Sequence, residues 1–273
     1  MDLTPLMLIS LAAGLLVTGA VAGTLAGLLG VGGGIVIVPV LSWVLALIAF
    51  PPEISQHMAV ATSLATIIPT AISSTRAHRA KGAVDDTLIR RWGPAIVIGA
   101  LIGGLAARYV SGDTLRLIFG VVALIVAINM AIPKTLVVGS KLPTGPAAQP
   151  IPLFIGTFSS LMGIGGGTLA VPVQSAWSVP VHRAVGTAAA FGLLIAIPGT
   201  LGFIWAGWGR ADLPPLSLGY VSLPAAAAIV PTTWIFAPIG ARLAHAINQS
   251  ALKRAFALFL AITALRMLAT AFT

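Results

Sequence analysis

Long stretches of this chain carry no charge at all. The apolar runs fall at about 6–29, 35–50, 58–75, 92–110, 115–132, 151–162, 168–178, 184–206, 217–239 and 253–271 of 273 residues. Several reach the roughly 20 residues that a helix needs to cross the ~30 Å hydrocarbon core of a bilayer. Backbone inside lipid must satisfy its own hydrogen bonds, so runs of this length become helices there. A membrane β-barrel would alternate apolar and polar residues every second position, and these runs do not. Only 8% of the residues are charged and 58% are hydrophobic, whereas a soluble domain carries about 25% charged residues. A disordered chain, a soluble nucleic-acid binder and a disulfide scaffold are excluded. The lipid bilayer is the expected environment, and the expected fold is an all-α polytopic membrane protein.

The formal net charge is +9. The basic residues sit in short loops, where Lys and Arg mark the cytoplasmic side, so no nucleic-acid partner is expected. The chain has no Cys, which excludes disulfides, thiol catalysis and Cys-based metal sites. The start, Met1-Asp2-Leu3-Thr4, lacks a basic segment. The first apolar run is therefore expected to remain as a membrane helix.

The runs at 151–162 and 168–178 flank a glycine cluster. At 1.5 Å per residue each reaches only about 16–18 Å, roughly half the hydrocarbon thickness. They read as a broken or re-entrant helix pair with its tip near the midplane. A Pro- and Gly-rich stretch containing Pro143, Gly145, Pro146 and Pro150 divides the chain. The expected organisation is a first membrane repeat over 1–132, a linker over 133–150 and a second repeat over 151–273.

The halves repeat each other. Gly30-Val31-Gly32-Gly33-Gly34, followed by Val38-Pro39-Val40, is matched by Gly163-Ile164-Gly165-Gly166-Gly167 and Val171-Pro172-Val173. His57-Met58-Ala59-Val60-Ala61-Thr62 is matched by His182-Arg183-Ala184-Val185-Gly186-Thr187. Arg116, Phe119 and Met130 are matched by Lys253, Phe256 and Met267. Five apolar elements per half is an odd number, so the second half is inverted relative to the first. With the loop at 76–91 inside, Arg76, Arg79, Lys81, Arg90, Arg91, Lys134, Lys141, Arg183, Arg242, Lys253 and Arg254 all face the cytoplasm. Arg108, Arg116, Arg210 and Arg266 are left outside. The opposite orientation would violate the positive-inside rule.

Asp2, Glu53, Asp85, Asp86, Asp113 and Asp212 lie at run ends or in loops. That argues against a buried proton relay and against paired-carboxylate catalysis. His57, His78, His182 and His245 form no helical metal-ligand pair. Neither an enzyme nor a cofactor or metal site is expected, and no nucleotide-binding loop is present.

Two glycine clusters, Gly30, Gly32, Gly33 and Gly34 with Gly163, Gly165, Gly166 and Gly167, are the main substrate-binding candidates. A helix restarting after a glycine break points free N–H groups and its positive dipole end at whatever lies there. Two such ends would suit a small anion at a midplane site between repeats. A lone cluster reads instead as close helix packing; duplication, with Val-Pro-Val following each copy, favours the site. Thr62, Ser63 and Thr187 could add hydroxyls, or bond to their own helix backbone. Gln174 could contact an anion or bridge helices. His57 and His182, at loop–helix junctions on opposite faces, are candidates for interfacial packing, helix starts or gates. Asn129 and Arg266 occupy matched positions in the last helices, and Pro69 and Pro198 are candidate kinks. Trp92, Trp205 and Trp208 fit an interfacial belt.

The paired Gly-x-Gly-Gly-Gly segments with Pro39 and Pro172, and the Ala-Val-x-Thr segments at 59–62 and 184–187, resemble the sulfite exporter TauE/SafE family. The resemblance runs from about residue 10 to 270. It implies a bacterial inner-membrane permease for a small sulfur-containing anion such as sulfite, sulfoacetate or another organosulfonate. The second copy departs at Thr187-Ala188-Ala189, where the first has Thr62-Ser63-Leu64. The expectation is a secondary transporter working by alternating access, with an anion channel or a permease of an unrelated small solute as the alternative. A homodimer is the general expectation for symmetric assemblies.

Overall fold

A computed structural model describes residues 5–48, 50–132, 137–143, 145–244 and 249–271. Asp2, Lys134 and His245 lie outside the described residues, as do the side chains of Lys253, Arg254 and Phe256. Among the described residues, ten α-helices follow in chain order, one for each apolar run: α1 (Pro5–Leu29), α2 (Gly34–Leu47), α3 (Pro52–Arg79), α4 (Asp86–Ala106), α5 (Gly112–Ala131), α6 (Pro150–Met162), α7 (Gly167–Ala176), α8 (Val181–Ala206), α9 (Leu223–Leu243) and α10 (Gln249–Thr270). A two-residue hairpin, β1 (Ser217–Leu218) and β2 (Val221–Ser222), precedes α9. Among the described residues, α1, α3, α4, α5, α8 and α9 are long and apolar enough to cross a membrane.

Local chemistry sets the helix starts. Asp85 caps α4 by accepting from Leu88 N, and Ser111 caps α5 by accepting from Thr114 N. Ser222 does the same for α9 through Ala225 N. Each bond satisfies one of the donors that a helix N-terminus leaves open. Proline opens α3 at Pro52 and precedes α8 at Pro180. There its fixed φ suits a helix start and its missing N–H costs nothing.

Two of the departures from the expected boundaries concern the centre of the molecule and the hairpin end. Helix α3 begins six residues before its apolar run, because Ser55, Gln56 and His57 are buried against the protein. The run at 217–239 begins as the hairpin. Leu216 and Gly219 adopt positive φ there, so the helix waits for Ser222.

The helices pack in an interlaced order: α1 against α9, α4 against α6 and α8, α3 against α8 and α9, and α5 against α10. Helices α2 and α7 lie on α3 and α8 respectively. Replacing each helix by its counterpart five places along returns the same main contacts. The correspondence reaches single residues. Gly23 faces Thr233 as Gly156 faces Ile96, and Gly240 faces Thr24 as Gly103 faces Thr157. A Cβ on Gly156 would stand 2.2 Å from Ile96 O. Small residues at such crossings let backbones approach and gain dispersion contacts, which drive helix association in lipid. Helices α3 and α8 form the centre, with Met58, Leu64 and Phe191 fully enclosed. The outer faces of α1, α5 and α9 stay apolar and exposed at Ile9, Val17, Ile125, Ile128 and Ile235.

Candidate functional site

Both glycine clusters are buried, and each forms the break between two helices. Gly30, Gly32 and Gly33 have φ of +69°, +73° and +79°. That left-handed backbone is open to glycine at little cost. In the second cluster Gly163 alone has positive φ, at +69°. It ends α6 with bonds from Gly163 N to Ser160 O and from Ile164 N to Ser159 O, an arrangement that satisfies the last carbonyls of a helix.

The two tips meet backbone to backbone. A Cβ on Gly32 would lie 2.8 Å from Gly165 Cα. On Gly34 it would lie 2.2 Å from Gly163 O, and on Gly167 2.1 Å from Gly30 O. The contacts are reciprocal: the start of α2 meets the end of α6, and the start of α7 meets the end of α1. The positive dipole end of each returning helix therefore faces the terminal carbonyl of the opposite half. Sequence alone led to the expectation of two helix starts facing one another. Here each faces a helix end.

Four candidate side chains lie around the tips, on α3, α7 and α8. Ser63 Oγ donates to Gly163 O at 2.7 Å and bridges the halves. Its counterpart Ala188 has no hydroxyl. Thr62 Oγ1 accepts from Ser222 N, and Thr187 Oγ1 accepts from Asp85 N, both at 2.9 Å. These hydroxyls hold helix starts of the opposite half. Gln174 Nε2 donates to Ala170 O at 3.1 Å and Ala184 O at 3.4 Å, joining α7 to α8.

Sequence reasoning passed over three further hydroxyls beside the second tip. Ser159, Ser160 and Thr168 are buried, and their oxygens have no hydrogen-bond partner among the described residues. Unpaired buried hydroxyls are costly, and native structures leave few of them. No duplicated motif flagged them, because Ala26, Gly27 and Ile35 stand at the matched positions. The signal available was the serine pair in a mostly apolar run, three residues before Gly163.

Other candidates fall elsewhere. His57 stacks on Tyr220 with ring centroids 4.8 Å apart, and its Nε2 lies 2.9 Å from Val110 O and 3.1 Å from Ala107 O. Arg210 donates to the Tyr220 hydroxyl and pairs with Asp212. That pairing holds the Asp212 carboxyl below its ordinary range and raises Arg210 further. Arg266 lies over the Trp43 ring, 4.5 Å from its centroid, away from the tips. A cavity of about 580 Å³ opens between Arg91 and Trp92 of α4 and the linker at Pro143, Gly145 and Gln149. No group of three His, Asp or Glu residues able to hold a metal occurs among the described residues.

Among the described residues, six helices long and apolar enough to cross a membrane, packed around two buried glycine breaks, define a multi-pass membrane protein. The comparisons agree on that class. The family model for the sulfite exporter TauE/SafE matches residues 15–267, and the chain belongs to that family. It is 36% identical to a probable membrane transporter protein of Haemophilus influenzae, over 92% of this chain and 96% of the relative. It is 28% identical to the probable membrane transporter protein YunE of Bacillus subtilis, over 86% and 88%. A probable membrane transporter protein of Methanocaldococcus jannaschii is 27% identical over 78% of each chain. No solved structure matches it significantly.

Proposed function

We propose that the chain is a secondary transporter of small sulfur-containing anions, sulfite, sulfoacetate or another organosulfonate, working by alternating access between two inverted halves. The reciprocal contact of the two glycine tips carries this reading. Each tip brings a helix start, with its unpaired N–H groups, against the other half. An anion bound between them would displace the carbonyls of Gly30 and Gly163 from those helix starts. Ser63 would then be released from Gly163 O to donate to the anion, and the free hydroxyls of Ser159, Ser160 and Thr168 stand near the second tip. Thr62, Thr187 and Gln174 flank the site.

The matched packing of counterpart helices supports the two-repeat organisation. Inversion rests on the odd number of helices per half, and orientation on charge. The basic loop 76–91 and the linker 133–150 face the cytoplasm of a bacterial inner membrane, with Arg108 and Arg210 outside.

The test is flux into liposomes holding the purified protein, for sulfite, sulfoacetate, taurine, sulfate and chloride, with and without a pH gradient. The expected result is saturable flux with counterflow, confined to sulfite or a sulfonate. Ohmic single-channel currents would convert the carrier into a channel, and absence of flux from folded protein would overturn the sulfur-anion reading.

A further inference from the structure

We infer that Thr62 and Thr187 are the two gate residues of the transport cycle, each closing one end of the molecule by accepting a backbone N–H from the other half. The inference rests on the alternating-access reading. It does not depend on the identity of the anion.

The two bonds are counterparts. Thr187 Oγ1 on α8 accepts from Asp85 N, and Thr62 Oγ1 on α3 accepts from Ser222 N, both at 2.9 Å. Asp85 and Ser222 are the capping residues of α4 and α9, which occupy equivalent places in the two halves. Both bonds therefore cross between the halves, and each fixes the first turn of a membrane helix.

They lie at opposite ends of the molecule. Helices α4 and α8 run side by side in the same direction: Gly93 meets Leu194, and Gly104 meets Gly199 and Gly202. The start of α8 thus lies beside the loop from α3 to α4. The hairpin after α8 lies at the far end. Each bond has supporting contacts of its own. At the first end Arg183 pairs with Asp85 at 3.2 Å, and a Cβ on Gly186 would stand 2.4 Å from Ala83 O. At the second end Tyr220 is held between the His57 ring and Arg210.

Each threonine is also tied to a tip. Val60 and Ser63, on either side of Thr62, both touch Gly163. Val185 and Ala188, on either side of Thr187, touch Gly30 and Gly166. One helical turn therefore carries both a tip contact and a cross-half bond. A ligand that moves a tip displaces the turn that holds the gate. The threonines are buried, at 1% and 0% exposure. The N–H donors stand on partly exposed residues, where water can take over the donor when the bond opens. That keeps each bond reversible. Both are closed in this structure, so exchange with either side requires one to open while the other holds.

The natural absence of cysteine allows a single Val31→Cys reporter at the first tip. Its labelling by a membrane-impermeant thiol reagent is measured from each face, in right-side-out and inside-out vesicles. Thr62→Val should raise labelling from the hairpin face by about three- to tenfold, the factor that the net worth of one buried hydrogen bond allows. Labelling from the other face should fall. Thr187→Val should give the mirror image, and Thr→Ser at either position should restore the parent rates. Equal change on both faces, or no change, overturns the assignment.

Disulfide locks cover the case in which a valine variant does not fold. Oxidised Thr62→Cys with Ser222→Cys, or Thr187→Cys with Asp85→Cys, should block labelling from its own face only, reversibly on reduction. A lock that leaves its own face open overturns the gate. A reporter reached from both faces whichever lock is closed overturns alternating access as well. Neither readout needs the transported anion, so failure of the sulfur-anion reading leaves the inference standing.

Discussion

A methyl group on Gly34 would stand 2.2 Å from the carbonyl oxygen of Gly163, and one on Gly166 2.7 Å from the Phe191 Cβ. Neither neighbour is the free end of a flexible chain, so the tips tolerate no side chain without shifting helices. Gly166→Leu and Gly33→Leu should abolish transport while a fraction of the protein remains folded in detergent, as judged by monodisperse elution. Wild-type flux from well-folded Gly166→Leu would sink the assignment of the tips. What sequence revealed at this scale was the position of the break, since five glycine-cluster residues recur with one spacing. It could not reveal the partner of each residue. The Thr62 and Thr187 stations were visible as matched motifs, yet their hydrogen-bond donors lie 160 and 102 positions away along the chain. Thr168 stayed invisible because its counterpart is Ile35.

Among the elements, the apolar runs forecast the helices well, because a bilayer leaves the backbone few alternatives. The forecast slipped where protein rather than lipid covers the chain. The polar opening turn of α3 is buried against α4 and α5 by Ser55, by His57 and by Arg116, which donates to Ser55 Oγ and Pro52 O. An apolarity scan sees only a loop there. The hairpin before α9 depends on turn geometry at Leu216 and Gly219, which the apolar content of 217–222 concealed. Beside that hairpin sits the Arg210–Asp212 ion pair. Asp212 has a lowered folded-state pKa, so its contribution is present above the unfolded aspartate pKa and is lost as pH falls through the folded value. Acidification below the ordinary aspartate range should speed hydrogen exchange over 209–222. Asp212→Asn should remove that pH dependence, and an unchanged acid profile would exclude the pair as its source. Both groups are largely exposed, so the effect on overall stability is small.

For the whole molecule, the charge pattern and the interlaced packing address different questions. Charge sets orientation: single cysteines replacing Lys81 and Trp208 should be labelled from opposite faces, the first from the cytoplasm. Labelling of both from one face would contradict the three crossings, α4, α5 and α8, that separate them when the α6–α7 pair starts and ends on one side. Packing sets the partners, and there the sequence was silent. A repeat announces two similar halves without saying whether they sit side by side or woven together. The contacts of α1 with α9, α4 with α6 and α5 with α10 show the woven form.

That weaving orders events during synthesis. When the ribosome has released the first half, α1, α4 and α5 still lack their principal neighbours. The glycine-lined seams at Gly23, Gly99 and Gly103 face lipid tails, which gain little there because tails cannot interlock with a helix groove as another helix does. The nascent first half should therefore be a loosely packed set of inserted helices. The principal contacts of α1, α4 and α5 are all with helices of the second half, α9, α6, α8 and α10, so their tight packing should form only once those helices have been inserted.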